Sequence, residues 1–236
     1  MKSGIETPWT LADALVAGAF LLAFAAAGAL AIVHPPAEIP FPGLRPILPQ
    51  LLLTPLFALA LLLVRKLRSG APFTALFGNA APEAILRAML IGVGAFVALS
   101  LLGEGVRYLS SRLGYNPPLQ SLVSWLISPD TPAASKAVLC AYALLCPPLA
   151  EEILFRGVLL SAFAKRGRPV LGIAATSILF ALCHGSLLAL LPMALFGIAL
   201  ARLALRTGGI LPGIACHLLF NAFNLAVALC CPPAAP

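Results

Sequence analysis

The chain has 236 residues, 61% of them hydrophobic and only 10% charged, with a mean hydropathy of +1.03. Soluble domains carry about 25% charged and 45–50% apolar residues, so the composition excludes a soluble globular protein and predicts an all-α, polytopic bundle of transmembrane helices. The formal charge of +7 does not indicate nucleic acid as a partner, because the basic residues lie in loops between apolar segments.

A span needs about 20 predominantly apolar residues. Seven stretches meet or approach that length: 11–33, 47–64, 84–102, 137–164, 169–186, 187–205 and 209–231. The first follows Lys2 as a secretory signal would. Its apolar run is too long for one, however, and Glu6 and Asp13 spoil the basic flank, so it reads as a retained anchor. His34, beside a proline pair at the end of that span, reads as interfacial, and the proline-rich stretch 35–49 as an ordered or re-entrant loop. The segment 103–135 holds further polar residues and suits an amphipathic piece lying on the membrane. Only Gly185 and Ser186 separate the fifth and sixth spans, which predicts a tight helical hairpin. One integral membrane domain, 1–236, is the simplest organisation.

Three basic clusters, "RKLR" at 65–68, "KRGR" at 165–168 and Arg202 with Arg206, fall on one side of the membrane if there are seven spans. The positive-inside rule makes that side cytoplasmic. The six cysteines lie within or at the ends of apolar segments and show no metal-ligand spacing. They read as small packing residues.

Strongly polar side chains inside these spans need partners or a function, because each costs several kcal/mol at the bilayer centre. The fourth span contains "EEILFR", with Glu151, Glu152 and Arg156; the fifth contains "FALCH", with Phe180 and His184; the seventh contains "HLLFN", with His217 and Asn221, and then Asn224. Residues four apart share a helix face. This pairs Glu152 with Arg156 as an ion pair, aims His217 and Asn221 at one place, and sets Phe180 one turn before His184. Glu151 is about 100° around the helix from Glu152, so the two carboxylates are expected to make different contacts. Interhelical hydrogen bonds contribute only about 0.6 kcal/mol each. A carboxylate, two imidazoles and an amide on three spans exceed any packing need. They match the inventory for activating a water and stabilising an oxyanion.

In order and in membrane context, Glu-Glu-x-x-x-Arg, Phe-x-x-x-His and His-x-x-x-Asn resemble the three motifs of the CAAX-protease and bacteriocin-processing (CPBP) family of intramembrane endopeptidases. The motif region spans about 140–225. The resemblance implies that Glu151, with His184, activates the attacking water. His217 and Asn221 then stabilise the oxyanion, while Glu152, Arg156 and Phe180 support the site. No cofactor is needed on this reading. The rival is a Zn²⁺ enzyme with Glu151, His184 and His217 as three ligands and water as the fourth, although no His-Glu-x-x-His stretch is present. A proton-coupled transporter and a non-catalytic maturation or immunity partner are further alternatives. A transporter is disfavoured because no inverted repeat is visible.

The expected substrate is a protein or peptide with a membrane-associated segment, and the expected location is a cell membrane, by the chain's compactness a bacterial inner one. Glu151 lies 14 residues before Lys165, His184 16 after Arg168 and His217 11 after Arg206. At 1.5 Å per residue these groups lie about 21, 24 and 16 Å from the basic loops. In a hydrocarbon core about 30 Å thick, that is past the midplane, so the site is expected to open away from the cytoplasm.

Overall fold

In the computed structural model, residues 9–33, 48–70, 76–78, 80–115 and 121–231 are described. His34 and nearly all of the stretch 35–49 lie outside them. Every regular element among the described residues is helical, as the composition requires, since only helices and closed barrels satisfy their backbone within a bilayer.

Helix α1 (Leu11–Val33) starts with a reciprocal cap. The Thr10 N–H donates to Asp13 Oδ2 at 2.9 Å, and the Asp13 N–H donates to Thr10 Oγ1 at 3.2 Å. Helix α2 (Leu48–Ser69) returns and ends in the "RKLR" cluster. There the Arg65 guanidinium lies over the Trp9 ring, 5.6 Å from its centroid, which brings the start of α1 to the end of α2. Helix α3 (Pro82–Arg112) opens on a proline in its first turn and extends ten residues beyond the expected span. The amphipathic piece anticipated in 103–135 is the short helix α4 (Ser121–Ile127), which packs on α5 and α9 and buries Leu126.

The fourth span is one rod from Ala133 to Lys165. It consists of α5 (Ala133–Glu151), a π-helical segment (Glu152–Leu160) and α6 (Ser161–Lys165). All nine residues of the π segment are buried, so this rod is the bundle's central element. Helices α7 (Pro169–Cys183) and α8 (Leu190–Thr207) form the expected hairpin, but residues 184–189 make a six-residue turn where two were anticipated. Gly185 takes φ 58° there, a left-handed conformation that glycine adopts without strain. Helix α8 stops at Gly208 in the left-handed region, and α9 (Leu211–Cys230) follows with a proline in its first turn.

Among the described residues, Pro82–Arg112, Ala133–Lys165, Leu190–Thr207 and Leu211–Cys230 are long and apolar enough to cross a membrane, with shorter apolar helices at Leu11–Ala27 and Pro169–Cys183. With α2 these make the seven membrane-scale elements that the sequence predicts. Large apolar side chains such as Leu15, Leu22, Leu90 and Leu101 point outward, while Phe155, Phe180, Phe196 and Leu200 fill the centre. The main packings are α3 on α9 and α7 on α8, with α1 on α7 and α5 against α9.

Two of the basic clusters meet the start of α1, where Arg65 lies over Trp9 and Arg166 lines a groove with Leu11. The turn before α9 pairs with the segment before α3, Ile210 N–H to the Leu76 carbonyl and Leu211 N–H to the Phe77 carbonyl, both at 3.2 Å. Leu11 and Arg166 line one apolar groove of about 620 Å³ between α1 and α7. All six cysteines are free.

Candidate functional site

Three elements bring the polar residues together: the α5–π junction carries Glu151, Glu152 and Arg156, the end of α7 carries His184, and α9 carries His217 and Asn221. The predicted ion pair is present. Arg156 Nη1 donates to Glu152 Oε1 at 2.9 Å with both side chains fully buried. The guanidinium also donates through Nη2 to the Gly197 carbonyl on α8 at 3.1 Å and lies over the face of Phe180, 4.7 Å from its centroid. One cation therefore ties the π segment to α7 and α8.

His217 is the meeting point. Its Nδ1 is 3.3 Å from Glu152 Oε1 and its Nε2 is 3.7 Å from Glu151 Oε2. The 100° between the glutamates does keep them on different atoms, but those atoms are the two nitrogens of one ring, because adjacent side chains can straddle an imidazole inserted from α9. The two carboxylates differ in setting. Glu152 is fully buried on Arg156, whereas the Glu151 side chain retains 20% exposure and makes no arginine ion pair among the described residues. Phe196 meets the His217 ring edge-on at 5.2 Å, and Phe180 does so at 5.8 Å.

His184 closes α7 at its C-terminal end. Its Nδ1 lies 2.8 Å from the Phe180 carbonyl oxygen. A carbonyl only accepts, so Nδ1 carries the proton and Nε2 keeps a lone pair for chemistry. His184 joins the cluster through the Phe180 ring, 4.6 Å between centroids, and makes no hydrogen bond or ion pair with Glu151 among the described residues. Asn221 does not share a partner with His217: its Nδ2 donates to the Ala143 carbonyl on α5 at 3.2 Å. Asn224 donates to the Phe220 carbonyl of its own helix.

Two glycines that the motifs do not mark shape the site by having no side chain. A Cβ on Gly213 would lie 2.8 Å from Glu152 Oε2, and one on Gly197 would lie 2.9 Å from Ser177 Cα. Their signal in the sequence is faint, a glycine within an apolar span, and nothing there says which neighbour approaches. The Zn²⁺ alternative requires three ligands converging on one point. Among the described residues no three His, Cys, Asp or Glu side chains are arranged to hold an ion, so the set Glu151, His184 and His217 does not fit a metal in this geometry.

The arrangement offers a partly exposed carboxylate, an imidazole with a free lone pair, and N–H donors on three neighbouring elements of an apolar bundle, which is equipment for acid–base work on a bound polar group. No curated protein and no solved structure matches the chain. The model of the family described as type II CAAX prenyl endopeptidase Rce1-like matches residues 133–223, a stretch that contains all three motifs. Over residues 133–223 this integral membrane protein is therefore similar to the Rce1-like CAAX prenyl endopeptidases, which is consistent with the CPBP motifs read in its sequence.

Proposed function

We propose that the chain is an intramembrane endopeptidase that hydrolyses a peptide bond near the membrane by a glutamate-activated water. The carrying observation is the asymmetry of the two glutamates: Glu152 is buried in an ion pair with Arg156, while Glu151 is partly exposed, faces His217 and makes no arginine ion pair among the described residues. Adjacent acids in unequal settings divide roles, one structural and one reactive. Glu151 takes the proton of the attacking water, and the free Nε2 of His184 orients that water from α7. His217 and Asn221 supply N–H donors to the oxyanion of the tetrahedral intermediate, and these are strengthened by the water-poor surroundings. The proton returns from Glu151 to the leaving amine. Glu152, Arg156 and Phe180 hold the frame. The substrate is a protein or peptide with a membrane-associated segment, and no metal takes part in the reaction.

The test is Glu151→Gln beside Glu152→Gln in reconstituted protein, using a quenched peptide with a farnesylated CAAX tail as probe. Loss of a general base lowers rate by about 10²–10⁴-fold, so Glu151→Gln is expected to lose cleavage while remaining folded and inserted, and His184→Ala to do the same. Near-normal turnover by Glu151→Gln sinks the assignment. Dialysis against a chelator is expected to leave turnover unchanged; loss restored by Zn²⁺ would replace this mechanism with the metal one.

A further inference from the structure

Pro147 and Pro148 lie within α5, four and three residues before Glu151. Proline has no backbone N–H. In an α-helix the carbonyl of Ala143 accepts from the N–H of residue 147, and in π winding from that of residue 148. Both positions are proline, so Ala143 loses both donors. No other carbonyl of α5 does: that of Leu144 keeps the N–H of Leu149, and that of Tyr142 keeps the N–H of Cys146. An unpartnered carbonyl inside an apolar bundle is costly. The group that reaches this oxygen is the Asn221 amide, 3.2 Å away across the contact between α5 and α9.

We propose that Pro147 is a positioning residue. By removing the helical donor to Ala143, it makes that carbonyl an anchor that holds the Asn221 amide in one orientation and pins α9 to α5 one turn from His217. A carbonyl only accepts, so Nδ2 must face α5 and the amide cannot flip. One Nδ2 hydrogen is spent on Ala143 and the other remains for a second acceptor. This rests on the reading of Asn221 as an oxyanion donor and adds what aims it. The sequence HLLFN supplies the amide, and the proline pair supplies the partner that orients it.

The experiment crosses Pro147→Ala with Asn221→Ala in the full chain in lipid nanodiscs, with Pro148→Ala as control. Tm is read for each variant, together with kcat and KM on the farnesylated CAAX peptide. Pro147→Ala returns an N–H to the Ala143 carbonyl, whereas Pro148→Ala returns one first to Leu144. Asn221→Ala is expected to lower Tm by about 2–4 °C in the parent and by far less in the Pro147→Ala background. Equal losses in both backgrounds would overturn the anchor. An interaction made in the transition state acts on kcat. Pro147→Ala is accordingly expected to lower kcat about 10–100-fold with KM within about twofold, Pro148→Ala to change it little, and the double variant to be no slower than Asn221→Ala. A Tm coupling with kcat untouched in Pro147→Ala leaves a structural strut and refutes the positioning role. If the parent chain leaves the peptide intact, the CAAX-tail substrate is refuted, and the Tm cycle decides the anchor on its own.

Discussion

At the residue scale, Arg156 is fully buried and shared among Glu152, the Gly197 carbonyl and the Phe180 ring. Removing one partner of a buried ion pair costs about 3–5 kcal/mol, because the other charge is left uncompensated. Arg156→Ala is thus expected to reduce insertion and thermal stability more than it reduces the chemistry of whatever protein survives. The pair change Glu152→Gln with Arg156→Met removes both charges together and should recover part of the yield, read by fluorescence-detected size exclusion and melting. A single variant as stable as the parent but inactive would move Arg156 into the reacting set. The i, i+4 spacing made this pair legible in the sequence. The third contact of the guanidinium, to a carbonyl 41 residues away, was not legible, because backbone oxygens carry no residue signature.

At the scale of elements, the rod from Ala133 to Lys165 does the positioning. Its π segment departs from 3.6-residue winding at the residues that carry the charges, a placement common at functional sites. Helix α8 approaches α7 where Gly197 faces Ser177, and the same Gly197 offers its carbonyl to Arg156. A methyl here meets backbone rather than a flexible side-chain end, so the helices must separate. Gly197→Ala is expected to cost about 1–3 kcal/mol and to lower activity further by shifting the Arg156 anchor. Thermal melting alongside single-turnover rates checks both, and an unchanged melting curve would show that the contact is looser than the geometry here. Motif spacing predicted which helices carry the site, but it did not predict that a glycine on a helix without a motif sets their separation.

At the scale of the whole molecule, the bundle is closed at its basic end, where the segment before α3 pairs with the turn before α9, and Leu76 and Ile210 are buried. His184 sits at the opposite end of α7, at the start of the turn 184–189. We propose that the basic end is cytoplasmic, by the positive-inside rule, and that a site reached from this turn acts on the extracytoplasmic part of its substrate, as trimming a carboxy-terminal anchor or sorting tail would require. Ser186→Cys in a background free of the six native cysteines is expected to react with a membrane-impermeant maleimide added to the outside of intact cells. Labelling only from the cytoplasmic side of inverted vesicles would reverse the orientation.

Composition and spacing alone settled the all-helical membrane fold class and the Glu152–Arg156 pair. Hydropathy over a 20-residue window and neighbours within a single helix turn are local properties that each segment carries by itself. The three motifs were equally legible as a set, and the family model matched over residues 133–223 is consistent with that reading. Only the tertiary structure decided that one imidazole of α9 is bracketed by both glutamates and that Asn221 turns to Ala143 instead of sharing a partner with His217. Those outcomes depend on the rotation and depth of each helix against its neighbours. Glycine contacts, aromatic packing and a carbonyl stripped of its donors by two prolines set that rotation and depth, and no pattern within one helix encodes where the others come to rest.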